Sequence, residues 1–193
     1  MPSHWRHLPH LYEAGKPVFI TWRLRESLPP NRAFPSEALS SGQAFAVLDR
    51  LLDEARTGPF YLRQPAIADM IVEAIHYNAN VLGHYILNAF VVMPNHVHLL
   101  ATPAVSLPKL TKSLKGITAK RASAMLGLTG NSFWQEESYD HLVRDSGEYE
   151  KIRRYIEANP VRAGLAKQAS DYRWSSAYVG RTPASAPDPL VRL

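Results

Sequence analysis

The 193-residue chain contains no cysteine. That absence excludes disulfide frameworks, thiolate zinc ribbons and thiol nucleophiles, and it fits a reducing compartment. Long apolar runs are missing too. The longest, Ile86 to Met93, is broken by Asn88 and falls far short of the roughly 20 residues a bilayer span needs. Met1 to His7 holds no apolar stretch of signal-peptide length. Together these absences predict a soluble cytoplasmic protein with no membrane partner. The chain also lacks a Walker loop, a Rossmann glycine fingerprint, a Gly-x-Ser-x-Gly elbow and a His-Glu-x-x-His pair.

What is present is enough apolar material for a core, with 46% hydrophobic and 10% aromatic residues. Lys and Arg number 22 against 17 Asp and Glu, a net charge of +5 that is compatible with a polyanionic partner. With cysteine excluded, the eight histidines become the main candidates for holding a metal.

Residues 17–25 alternate and are rich in aromatic and β-branched side chains, which predicts a first strand. A Pro- and Ser-rich connector follows from Ser27 to Ser41. The spacing of Phe45, Leu48, Leu51, Leu52 and Ala55 predicts a helix over 44–56, stopped by Gly58-Pro59. Pro65 opens a second helix at its first turn, a position that tolerates the missing N–H. Tyr85 to Met93 and His96 to Ala101 read as strands joined by Pro94-Asn95, and so tight a turn makes them antiparallel. A helix over Ser106 to Leu126 is closed by Gly127, and 133–144 holds a last, less regular strand. Asp145 with Glu148 caps a final helix that Pro160 is expected to end. This order is that of a split βαβ sandwich, an α+β fold. It predicts one domain over 1–180, an extra helical insertion between 42 and 83, and a flexible tail over 181–193. Tyr172, Trp174 and Tyr178 are expected to dock on the core or on a partner.

Three groups of residues could carry chemistry. In His96-Val97-His98 a strand would aim both imidazoles at one point, while Val97 faces the other layer. An isolated His-x-His is also ordinary strand composition, so the pair takes its weight from its place just after the Pro94-Asn95 turn. Tyr155 and Asn159 stand one helical turn apart at the edge of a stripe through Tyr149, Ile152 and Ile156, either packing there or reaching a cleft. Lys109, Lys112, Lys115, Lys120 and Arg121 share a helix without an acidic residue. That face is either simply solvated or suited to a phosphate backbone. Arg121 falls within the apolar stripe, where it either snorkels or points into the site.

Together these features resemble the single-tyrosine HUH transposases of the IS200-like superfamily, most closely the branch associated with repetitive extragenic palindromes (REP). The resemblance rests on Val91 to Leu100, Phe133-Trp134-Gln135, Tyr139-Asp140-His141, Arg144, Tyr149, Arg154 to Leu165 and Trp174-Ser175-Ser176, and spans about Val18 to Tyr178. It implies a ferredoxin-like antiparallel sheet with helices on one face, and a divalent Mg²⁺ or Mn²⁺ ion on His96 and His98. Asn159 would be the third ligand, at a position where relatives often carry glutamine. Tyr155 would be the nucleophile, cleaving and rejoining single-stranded or hairpin DNA at REP-like palindromes through a 5′-phosphotyrosine intermediate. Lys109, Lys112, Lys115, Lys120, Arg121, Arg144 and Arg154 are then the candidate DNA contacts, and Trp134, Tyr139, Tyr172 or Trp174 either stack on bases or belong to the core. The resemblance is compatible with a monomer or a homodimer. Two alternatives stand beside it: a non-catalytic DNA-binding protein retaining the fold, and a zinc hydrolase or structural metal site.

Overall fold

A computed structural model describes residues 15–28, 41–128, 130 and 132–180, with the side chains of 41–44 left aside. The tail expected over 181–193 and most of the connector, 29–40, lie outside the described residues. The elements are β1 (Val18–Arg23), α1 (Ser41–Asp53), α2 (Pro65–Asn80), β2 (Tyr85–Val92), β3 (His96–Pro103), α3 (Leu107–Leu126), β4 (Tyr139–Leu142) and α4 (Ser146–Arg162).

The four strands form one antiparallel sheet in the order β2-β3-β1-β4. β1 and β2 are linked by a crossover, yet β3 lies between them, which is the split βαβ arrangement. The strands read as nearly continuous apolar runs because both faces of the sheet are covered. Val18, Ile20, Trp22, Val97, Leu99 and Ala101 pack against α2 and α3, whose Ile67, Ile71, Ile75, Leu110 and Leu114 complete the larger core. Phe19, Ala89, Val91 and Leu100 face the other way, against Ile156 of α4 and Phe45 of α1. The crossover helices α2 and α3 thus share one face as expected. The other face carries a layer that the sequence reading did not include, and the two histidines project into it.

Local chemistry accounts for most boundaries. Pro65 starts α2 at its first turn, and Gly127, at φ 64°, ends α3 in the left-handed region that glycine favours. Asp145 caps α4 by accepting the Glu148 N–H at 2.8 Å, while the Glu148 carboxylate accepts the N–H of Arg144. Pro160 does not end α4, contrary to expectation. It lies in the last turn, where a single backbone bond is lost, and its carbonyl accepts the Leu165 N–H at 2.8 Å. The strand expected over 133–144 is shorter, because Trp134 makes only an isolated bridge to Leu24 before the chain loops to β4. α1 begins three residues earlier than its spacing suggested, at Ser41 rather than residue 44.

The late aromatics are packing residues. Trp134 is buried with Nε1 donating to Thr118, and the Tyr172 hydroxyl donates to the Val92 carbonyl. Trp174 donates to Asp69, and Trp174 to Ser176 runs along the outer edge of β2, with backbone bonds to Val92 and Phe90. Replacing Trp134 with Ala should therefore cost about 3–5 kcal/mol of stability in urea unfolding. Ile86→Ser, at a residue 68% exposed, should stay within about 0.5 kcal/mol of the parent.

Candidate active site

His96 and His98 open β3 on the α4 face, held between β1 and β2 by the pairs Thr21↔His98 and Val91↔His98. Both rings are fully buried, and their Nε2 atoms are 3.1 Å apart. The far nitrogen of each ring is engaged. The Asn95 side-chain amide donates to the Leu52 carbonyl at 3.0 Å, which turns its Oδ1 toward His96 to accept the Nδ1–H at 2.7 Å. His96 Nε2 must then carry a lone pair. His98 Nδ1 shares a 2.7 Å hydrogen bond with Thr21 Oγ1. With the His98 proton on Nδ1, two Nε2 lone pairs face each other, which is repulsive unless a cation lies between them.

A third group arrives from α1. Asp49 is buried, with Oδ1 3.0 Å from His98 Nε2 and 3.5 Å from His96 Nε2, close but misaligned for a hydrogen bond. Burial pushes its carboxyl pKa up, but His98, His96 and Arg162 together pull it below its ordinary value. Asp49 is therefore a buried anion, and its Oδ1, which has no hydrogen-bond partner, is an oxygen suited to a bound cation. Asp53, one turn further on, is pushed up to about 7 by burial and by Asp49, so near neutrality it is only partly ionised. Burial, with His98 beside it, pushes His96 down to about 3 against the opposing pull of Asp49, which keeps its ring neutral and able to coordinate.

α4 supplies the remaining groups. Asn159 is fully buried, with Nδ2 3.2 Å from His98 Nε2 and 3.4 Å from Asp49 Oδ2, while its Oδ1 has no partner. A half-turn of this amide would present the unpartnered oxygen to the same point. Tyr155 lies one turn back, its ring 5.8 Å from that of His98 and its buried hydroxyl without a hydrogen-bond partner. The Arg162 guanidinium sits 4.7 Å over the Tyr155 ring. Asp49, His96 and His98 offer ligand atoms within 4.8 Å of one another, and with the unpartnered oxygens around them they fit a divalent cation with mixed nitrogen and oxygen donors.

The structure thus brings His96, His98, Tyr155 and Asn159 together. Asp49 and Asn95 were missed. Asp49 had a visible signal, a carboxylate four residues after Phe45 inside the apolar stripe of its helix. Pro94-Asn95 read only as a turn. The basic residues lie elsewhere. Lys109, Lys112 and Lys120 are exposed on α3, across the sheet from the histidines. Lys115 is half-buried and donates to the Gln135 and Glu136 carbonyls at 2.8 and 2.6 Å. Arg121 does not point into the site, because its guanidinium pairs with Glu73 of α2 at 3.2 Å. Arg144 and Arg154 are exposed, before and on α4. A cleft of about 1360 Å³ beside α3 is lined by Arg23, Arg25, Lys112, Lys115 and Gln135. No helix among the described residues is long and apolar enough to cross a membrane.

Comparison with known proteins adds a family to this geometry. The family model described as "Transposase IS200 like" matches residues 60–159, which include both histidines, Tyr155 and Asn159. A REP-associated tyrosine transposase of Escherichia coli is 31% identical over 90 residues, 47% of this chain and 53% of that protein. The ISDra2 transposase TnpA of Deinococcus radiodurans is 38% identical over 74 residues, 35% of this chain and 52% of that protein. The chain thus spans about half the length of the curated relatives it matches. In fold it is similar to a REP-associated tyrosine transposase solved bound to a REP hairpin, with a TM-score of 0.55 and 21% identity over 91% of this chain and 82% of that one.

Two outcomes follow from the geometry. Asn95→Ala should weaken Mn²⁺ binding about 10–100-fold in an electron paramagnetic resonance titration, since it frees the His96 ring to turn. His96 titrates near 3 when folded and near 6.5 when unfolded, so the unfolded chain binds the extra proton between those values. Its contribution to stability should be complete above about pH 6.5 and be lost as pH falls toward about 3. Urea midpoints from pH 7 to 4 should fall less steeply for His96→Gln.

Proposed function

Given that the chain belongs to the IS200-like transposase family, we propose that it is a metal-dependent endonuclease and strand transferase acting on single-stranded or hairpin DNA. The observation that carries this reading is the unpartnered Tyr155 hydroxyl, buried one helical turn from an asparagine that contacts the histidine pair. A tyrosine in that setting is a nucleophile in waiting rather than a packing residue whose hydroxyl has been satisfied.

In the reaction, the Tyr155 oxygen forms a bond to the scissile phosphorus and gives up its proton to water, while the bond from phosphorus to the 3′ oxygen breaks and that oxygen takes up a proton. The downstream strand stays on Tyr155 through its 5′-phosphate, and the upstream strand leaves with a free 3′-OH. Because one phosphoester replaces another, a second 3′-OH can reverse the step and join strands without ATP. His96, His98, Asp49 and Asn159 would hold a Mn²⁺ or Mg²⁺ ion, which would supply polarisation of the phosphate and offset the charge developing on its oxygens. Asn95 and Thr21 keep the imidazoles oriented. Imidazole alone favours zinc over magnesium, and the Asp49 carboxylate shifts the donor set toward manganese and magnesium. Arg162 lays a positive charge against the nucleophile's ring.

REP-like palindromes are the proposed partner. Support comes from the REP-associated relative in Escherichia coli and from the similar fold solved with a REP hairpin. The exposed Lys109, Lys112 and Lys120, with Arg144 and Arg154, are the proposed backbone contacts, and the cleft beside α3, where Arg23, Arg25, Lys112 and Lys115 outnumber Glu26 and Glu136, is a surface suited to a phosphate backbone.

The test is an adduct assay with a labelled hairpin oligonucleotide carrying a single-stranded flank. A covalent protein–DNA band should form with Mn²⁺ at least as well as with Mg²⁺, and EDTA should abolish it. Tyr155→Phe should lose the band entirely while keeping hairpin affinity within about threefold. A Tyr155→Phe protein that still forms the adduct would overturn the assignment.

A further inference from the structure

Chemistry on a phosphodiester requires the substrate to reach Tyr155 and the histidines, yet the site is closed. His96, His98 and Asn159 have no exposed surface, and the Tyr155 hydroxyl is buried. Much of the cover comes from α1. Phe45 stacks on Tyr139 at 4.5 Å and meets the edges of Tyr155 and His98 at 6.0 Å each. Asp49 fills the space beside the two Nε2 atoms and the Asn159 amide.

Of the elements around the site, α1 is the most lightly held. Among its described side chains only Asp49 and Leu52 are fully buried, and its Arg50–Glu54 ion pair does not tie it to the body. By contrast β3 is a central strand, and α4 is capped at Asp145 and rooted by Ile156, Asn159 and Pro160. We propose that α1 is a lid over the catalytic site, latched in its closed position by Asp49 against the two histidines and Asn159, and released as a unit to admit DNA. The proposal rests on the transposase reading for the identity of what enters. Opening breaks the Asn95–Leu52 hydrogen bond and withdraws Phe45 from the Tyr155 ring, and closure restores both.

The absence of cysteine makes the test clean. Leu52→Cys places a thiol on the inner side of α1, and Ile156→Cys places one on the inner side of α4. With an aromatic disulfide reagent in native buffer, the thiol at 52 should be modified at least tenfold faster than the thiol at 156. Adding Asp49→Ala should accelerate the first several-fold and leave the second unchanged. Hydrogen exchange on the unaltered chain gives an independent measure, in which α1 amides should exchange through an opening that leaves α4 protected. Equal slow rates at both thiols, Asp49→Ala raising both together, or α1 and α4 exchanging as one unit would overturn the lid. Because opening is read without DNA, failure of a single-stranded oligonucleotide to speed labelling further would count against the transposase chemistry and leave the lid result standing.

Discussion

A strand buried on both faces must send successive side chains to opposite layers, and at His96-Val97-His98 that rule puts two polar rings on one side and an apolar residue on the other. Val97 joins Leu99 and Ala101 in the core beneath α2 and α3, so β3 cannot slip by one residue without driving imidazoles into that core. Pairing on both sides, to β1 and to β2, removes the remaining freedom. Two Nε2 atoms at 3.1 Å are the outcome, and Asp49 and Asn159 are arranged around that fixed point.

The main strands and helices, and the shared faces of His96 with His98 and of Tyr155 with Asn159, were legible because each depends on short-range periodicity, whereas the meeting of the two pairs, 61 residues apart, was implied only by the family resemblance. A period of two along β3 and a period near four along α4 are written in adjacent residues. What lay beyond reach depended on contacts between distant segments. Nothing in Ala44 to Arg56 states that α1 folds across the histidines, although a carboxylate inside its apolar stripe was a readable oddity. The lysines of α3 looked equivalent on a helical wheel, yet Lys115 is drawn into the body by two carbonyls from the loop before β4. Pro160 misled for a different reason. The rule that a proline ends a helix describes its interior, and at Pro160, two residues from the end of α4, only the single bond to the Ile156 carbonyl is given up.

The buried charge at Asp49 shows why such a site combines economy with tension. Desolvating a carboxylate is unfavourable, and here His98, His96 and Arg162 more than offset that cost. Proteins seldom keep an arrangement of that kind in a purely structural role, because an apolar residue of similar volume would be more stable. The charge is local. It lies between α1, β3 and α4, while the larger core under α2 and α3 has no part in it.

The strip from Trp174 to Ser176 has a consequence for solubility. A sheet of four strands has two open margins, each a template on which a foreign strand can dock. Here the chain's own later residues occupy part of one margin, donating to Phe90 and receiving from Val92, and thereby deny it to outsiders. The opposite margin is only four residues long and carries Asp140 and His141, both unfavourable to apolar stacking. A protein guarded in this way is built to resist runaway fibril growth through its sheet.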